Sequence, residues 1–323
     1  MDKRKIGNMV VSSIGLGCMG LSHASGAPTG KKEAGEILRQ AVDLGYTLFD
    51  TAECYTGVNS DGSISYNEEL VGEALRPIRD KIVLATKYGV QHGGDHLILD
   101  SRPSTIRKSV DESLKRLGTD YIDLYYQHRI DPKVEPETVA ETMGALIKEG
   151  KIRSWGISET TEDYLRRAHA ICPVAAIQNR YSMMARWHES LFSMVEELGV
   201  AFVAFSPMAN GFLTGQYDQT TKFEEGADFR SRMPQFTADG VEQSRELLEI
   251  LNQLASEKKA TPAQISLAWM LCKKPWIIPI PGSRKPKRLK ENLDAAYVKL
   301  TDKEIKVIDT KLDQMEFIVF GGH

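Results

Sequence analysis

The sequence predicts an α/β protein whose eight strand–helix units close into a (β/α)8 (TIM) barrel. Three observations carry that expectation. Eight short apolar runs, at 13–18, 46–50, 82–87, 121–128, 152–158, 174–179, 200–206 and 276–282, each have the length of a strand buried on both faces. Longer amphipathic segments alternate with them from end to end, as parallel strands joined by helices require. The 323 residues suit one such barrel, so 1–323 is read as a single domain.

The helices announce their ends. The patterns beginning at Lys31, Arg102 and Glu135 stop at Gly45, Gly118 and Gly150, where a left-handed residue closes a helix. Thr261, Pro262 and Gln264 form the N-cap, first position and third position of a capping box. Before the first barrel strand, the N-terminal residues read as a hairpin turning at Gly7-Asn8. After strand seven, residues 207–240 form a long loop, longer than the scaffold needs and placed to line an active site.

Composition narrows the partners. Hydrophobic residues make up 41% and charged residues 26%, as in a soluble globular protein. A net charge of −3 argues against nucleic-acid or membrane-surface binding. Cys18, Cys54, Cys172 and Cys272 show no metal-ligand spacing and read as reduced thiols. No apolar run has the ~20 residues of a membrane span, and Asn8 and Ser12-Ser13 interrupt the start too early for a signal peptide. The expected location is cytoplasmic, and no metal site is expected. Gly15, Gly17 and Gly20 match a dinucleotide fingerprint, but no helix opens behind them, so a strand end with a tight loop is the better reading.

Chemistry in a barrel sits where the strands run out. Those positions are Asp50 with Tyr55 just beyond, Lys87, His128, Ser158, Gln178 and Ser206. Singly, each has a plain structural account; together, an acid, a lysine and a histidine at one rim exceed what a core needs. A free phenol titrates near ~10, too high for acid–base work at neutral pH, and a nearby ammonium lowers it. Tyr55 is therefore the expected general acid, with Lys87 tuning it, Asp50 anchoring Lys87 and His128 orienting a substrate oxygen. Protonating a carbonyl oxygen in this way calls for a hydride-donating cofactor.

These motifs, "FDTAECY", "LATKYG", "QHR" and "IPGSRKPKRLKENL", together resemble the aldo-keto reductases over essentially the whole chain. The resemblance implies the same catalytic four, Asp50, Tyr55, Lys87 and His128, and reduction of an aldehyde or ketone. Five basic residues crowd 282–292 at the start of the last barrel helix, a place suited to phosphate. By resemblance this segment binds the 2′-phosphate of NADPH through Ser283, Arg284, Arg288, Glu291 and Asn292, so NADPH/NADP+ is favoured over NADH. The resemblance also gives Ser158 and Gln178 to the nicotinamide carboxamide and Phe205 to its ring face. It gives Ser206, Gly211, Leu213 and Thr214 to the pyrophosphate. Glu159 departs from the pattern, standing where many members carry Asn. Met19, Tyr88, the residues after His128, the 207–240 loop and the tail at 315–323 are expected to wall an apolar, partly aromatic substrate pocket. Two other readings compete. One is a Schiff-base aldolase using Lys87; the other is a non-catalytic, cofactor-binding regulatory subunit of the same fold.

Overall fold

The computed structural model describes residues 2–94, 96–224 and 228–321. Of the expected pocket walls, 225–227 of the long loop and 322–323 of the tail lie outside the described residues.

One eight-stranded sheet runs in sequence order through β1 (Leu16–Gly17), β2 (Leu48–Asp50), β3 (Val83–Tyr88), β4 (Ile122–Gln127), β5 (Ile152–Ser158), β6 (Ala176–Arg180), β7 (Ala201–Phe205) and β8 (Ile277–Pro279). All neighbouring pairs are parallel. Backbone bonds from Gly15 N to Pro279 O (3.0 Å) and from Gly17 N to Pro281 O (3.4 Å) close β8 onto β1. The chain is a (β/α)8 barrel.

The closure explains the glycine motif. A Cβ on Gly17 would stand 2.8 Å from Ile280 O, and one on Gly282 would stand 2.7 Å from Gly17 O. Both residues lack a side chain because two backbones meet there. A three-residue helical turn, Met19–Leu21, follows, and the first long helix begins only at Lys31. No helix opens onto these glycines, as the sequence context indicated.

Strand alternation divides the apolar residues into two cores. Leu48, Val83, Ala85, Leu124, Tyr126, Val203 and Ile278 fill the barrel, and Ile6 and Val11 from the hairpin Lys3–Ile6/Met9–Ser12 pack with them. The larger core lies between sheet and helices, with Phe49, Leu84, Tyr125, Trp155, Ile177 and Phe202 facing outward. The helix Lys31–Leu44 ends on Gly45 at φ 109, a left-handed C-cap. Thr261 and Gln264 form the reciprocal capping box at Pro262–Lys273.

Two features fall outside the sequence reading. Short hairpins, Thr56–Val58 with Ile64–Tyr66 and Val90–Gly93 with His96–Leu99, rise from the loops after β2 and β3. Their strands, three or four residues each, are too short to stand out in the sequence. Tyr88 does not wall a pocket: its side chain is fully buried and packs 5.1 Å from the ring of Tyr125. Lys87 faces the barrel interior, so its neighbour must face the helices. Among the described residues, no helix is long and apolar enough to cross a membrane.

Candidate active site

Register brings the strand ends to one rim. Asp50 pairs with Ala85 and Lys87 with Tyr126, so β2 and β3 deliver a carboxylate and an ammonium side by side. Lys87 is fully buried, and its three N–H groups have three acceptors. Nζ lies 2.5 Å from Asp50 Oδ1, 2.7 Å from Thr51 O and 3.3 Å from the Tyr55 hydroxyl. Asp50 uses its other oxygen as well, accepting from Gln178 Nε2 at 2.7 Å. His128 follows β4, its N–H bonded to Tyr88 O at 3.0 Å, and its ring meets that of Tyr55 edge-on at 5.7 Å. Asp50, Tyr55, Lys87 and His128 thus form one contiguous quartet, with Tyr55 half-buried and the other three buried.

Electrostatics set the protonation of each member. Burial pulls the Lys87 ammonium down, but Asp50 and then Tyr55 outweigh it and hold the group above its ordinary value. Burial pushes the Tyr55 phenol up, and Lys87 opposes without reversing it. The expectation of a net lowering of Tyr55 is therefore corrected. Withdrawal from water exceeds the pull of an ammonium that Asp50 already neutralises. His128 is held well below the usual imidazole range by burial, then by Lys87 and Arg129, so it is neutral. Cys54 Sγ lies 3.4 Å from His128 Nδ1, and burial pushes this thiol up to about 12. The arrangement is a neutral phenol, a fixed ammonium and a neutral imidazole around one opening.

The opposite wall is built differently. Ser158 Oγ donates to the backbone O of Gln178 at 2.9 Å and accepts from Arg129 Nη1 at 3.1 Å, and the Gln178 amide donates to Asp50, so both side chains expected at the carboxamide already have protein partners. Phe205 closes β7, with the guanidinium groups of Arg129 and Arg180 over its ring. Glu159 takes φ 54 and turns away from the mouth: Oε1 accepts from Arg180 N at 2.8 Å, and Oε2 is 3.8 Å from His188 Nε2. Burial pushes its carboxyl up, but the His188 and Arg180 N–H contacts outweigh this and hold it below the ordinary value.

The positions expected to hold phosphates gather after β7 and β8. Ser206 has φ 50, and Ala209, Asn210 and Gly211 follow at φ 46, 61 and 98. This left-handed turn is closed on its own backbone: Ala209 N bonds Ser206 O at 2.9 Å, and Gly211 N and Leu213 N bond Met208 O at 2.9 and 3.2 Å. Thr214 Oγ1 bonds back to Gly211 O at 2.7 Å, while Leu213 is fully buried and offers only its backbone. Ser283 accepts from Lys285 N at 3.1 Å just before the helix Pro286–Asp294. Arg284 reaches across the barrel seam to Gly20 O and Ala27 O, leaving a buried Nη2 without a partner among the described residues. Arg288 pairs with Glu291, and Asn292 is buried. The orphaned guanidinium nitrogen and the basic helix start fit a dinucleotide carrying phosphates.

Sequence reasoning placed Arg129 only among the residues after His128 and gave no site role to Arg180 or Cys54. Each lies one or two positions from a residue that was read, in "ECY", "QHR" and "QNR". Arginine immediately beyond a barrel-strand end was the available signal for two of them.

A closed (β/α)8 barrel with this quartet at its carboxyl rim defines a class of enzymes, and comparison with known proteins agrees. The Aldo/keto reductase family model matches residues 13–313. Aldo-keto reductase str7 of Strobilurus tenacellus is 38% identical, covering 98% of this chain and 93% of that protein. "Aldo-keto reductase yakc [NADP(+)]" of Schizosaccharomyces pombe is 37% identical over 98% of this chain and 92% of its own length. Among solved structures, the glycerol dehydrogenase of Gluconobacter oxydans superposes with a TM-score of 0.85 at 28% identity, covering 97% of this chain and 96% of that one. An aldo/keto reductase from Klebsiella pneumoniae in complex with NADP and acetate gives 0.73 at 25% identity, with 98% of both chains covered. The chain belongs to the aldo/keto reductase family.

Proposed function

We propose that this chain is an NADPH-dependent reductase of aldehydes or ketones, with Tyr55 as proton donor. The observation that carries the reading is Lys87 Nζ held between Asp50 Oδ1 and the Tyr55 hydroxyl. Bound NADPH supplies the two electrons as hydride to the carbonyl carbon. Tyr55, kept neutral by burial, gives its proton to the carbonyl oxygen as that oxygen gains charge. Lys87 stabilises the phenolate left behind, which lies 3.3 Å away in hydrogen-bond contact. Asp50 is a positioning residue; it keeps Lys87 charged and aimed. A protonated Cys54 donates to Nδ1 of His128, which leaves an Nε2–H to hold the substrate oxygen.

Ser158, Gln178 and Phe205 are the residues assigned to the nicotinamide. Ser206, Gly211, Leu213 and Thr214 are assigned to the pyrophosphate, and Ser283, Arg284, Arg288, Glu291 and Asn292 to the 2′-phosphate. The raised Lys87 speaks against an aldolase, since an ammonium is a poor nucleophile. The test follows NADPH absorbance over a panel of aldehydes and ketones with the native protein and Tyr55→Phe. Turnover should fall roughly 10²–10⁴-fold in the variant while NADPH binding, read by fluorescence, persists. Near-native turnover by Tyr55→Phe would remove the acid assignment.

A further inference from the structure

Two cations converge on one aromatic ring at the edge of the quartet. Arg129 follows His128, and Arg180 is the last residue of β6; their Cζ atoms lie 5.9 and 5.0 Å from the Phe205 centroid. The hydrogen bonds of Arg129 go to neutral oxygens, His128 O at 2.6 Å and Ser158 Oγ at 3.1 Å. Arg180 Nη1 is buried and has no partner among the described residues. The carboxylate beside them, Glu159, spends one oxygen on the Arg180 backbone N–H and points the other toward His188. Two guanidinium groups therefore face one carboxylate that does not neutralise either fork. Burial lowers Arg180, Glu159 opposes, and Arg129 lowers it further, the signature of a crowded cation pair.

The surroundings partly enclose Arg180, whose Nη1 is buried. Phe320 covers Arg180 from the other side at 5.5 Å, and a Cβ on Gly321 would stand 3.0 Å from its Nε. The tail is pinned there by Phe320 N donating to Oε1 of the fully buried Gln235 at 3.0 Å. A guanidinium in such a setting gains most from an anion that satisfies its fork in the plane.

We infer that Arg180, flanked by Arg129, forms an anion subsite at the barrel mouth, and that the carbonyl substrate carries a carboxylate that seats there. This rests on the reductase reading and narrows it to carbonyl compounds bearing an acid group. Arg129 follows His128 and bonds Ser158 Oγ, and both guanidinium groups lie over Phe205, so the subsite lies beside the quartet at the edge of the place assigned to the nicotinamide. The left-handed turn assigned to the pyrophosphate follows β7, and the basic helix start follows β8; Arg180 belongs to neither.

The test compares para-carboxybenzaldehyde with its methyl ester, which share a reactive group and differ in charge, on the native protein, Arg180→Met and Arg180→Lys. The native protein should favour the acid over the ester in kcat/KM by about tenfold or more. Arg180→Met should bring that ratio to near one, and Arg180→Lys should keep part of it. NADPH affinity, read by fluorescence, should move less than the ratio does. Unfolding midpoints of both variants verify the fold, and Arg180→Lys carries the comparison if Arg180→Met is unstable. An unchanged ratio in the variants overturns the subsite while leaving the reductase reading intact. Weakened NADPH binding with an unchanged ratio assigns the anion to the cofactor and overturns the substrate claim. Reduction of neither aldehyde, nor of the wider panel, sinks both readings.

Discussion

On one side of the barrel mouth the quartet closes on itself; on the other, several buried polar atoms have no partner among the described residues. Lys87 has an acceptor for each of its three N–H groups, and both oxygens of Asp50 are engaged. Across the mouth, Arg180 Nη1, Asn210 Oδ1 and Arg284 Nη2 are buried without partners among the described residues. Four of the six non-glycine residues with positive φ, Glu159, Ser206, Ala209 and Asn210, also lie there. Strained backbone and unpaired polar atoms persist where something else repays them. The quartet is organised before any ligand arrives, whereas the opposite wall is completed by one.

Lys87→Met should separate the two sides most sharply. It strands Asp50 as an unpaired buried carboxylate, so the free protein should lose about 3–5 kcal/mol of stability. Turnover should fall with it, and denaturant titration with steady-state rates checks both. A stable, active variant would show that the quartet is not preorganised by its ion pair. Arg288→Ala, on the other wall, should leave the free protein's unfolding midpoint nearly unchanged. It should weaken NADPH by about tenfold and NADH far less, as measured by fluorescence titration. Equal losses for both cofactors would detach Arg288 from the 2′-phosphate.

Smaller effects sharpen the quartet itself. Cys54→Ala removes the partner of His128 Nδ1, and turnover should drop a few-fold with a changed imidazole tautomer in nitrogen NMR. An unaltered tautomer would make Cys54 mere packing. Glu53, whose Oε1 accepts from Gly89 N at 2.8 Å, has its carboxyl pushed up to about 7 by burial, against the Gly89 hydrogen bond. Between the usual carboxylate value and 7 the folded protein holds more protons than the unfolded chain, so stability falls as pH rises through that window. Glu53→Gln should flatten the decline, read as unfolding midpoint against pH; an unchanged slope would place the titration elsewhere.

Much of this was legible in the sequence because it rests on local rules. Gly45 and the Thr261 box mark helix ends through backbone conformation alone, and Asp50, Lys87 and His128 stand out because barrel strands are otherwise aliphatic. What escaped depends on three dimensions. Tyr88 looked like a pocket wall until strand alternation turned it outward against Tyr125. The net rise at Tyr55 follows from burial, which no spacing reveals. Arg129 and Arg180, 51 positions apart, meet only because β4 and β6 end around Phe205.

The seam between β8 and β1 carries a consequence for how the barrel breathes. Two backbone hydrogen bonds cross it among the described residues, while β4 and β5 share five register pairs. β1 also meets β2 through two register pairs, so this strand, lightly held on both sides, is where local opening is expected to begin. Arg284 spans that same seam, from the end of β8 to Gly20 and Ala27. A dinucleotide gripping Arg284 and its neighbours would act as a clasp on the weakest stave, and by mass action would slow the opening of the whole cask.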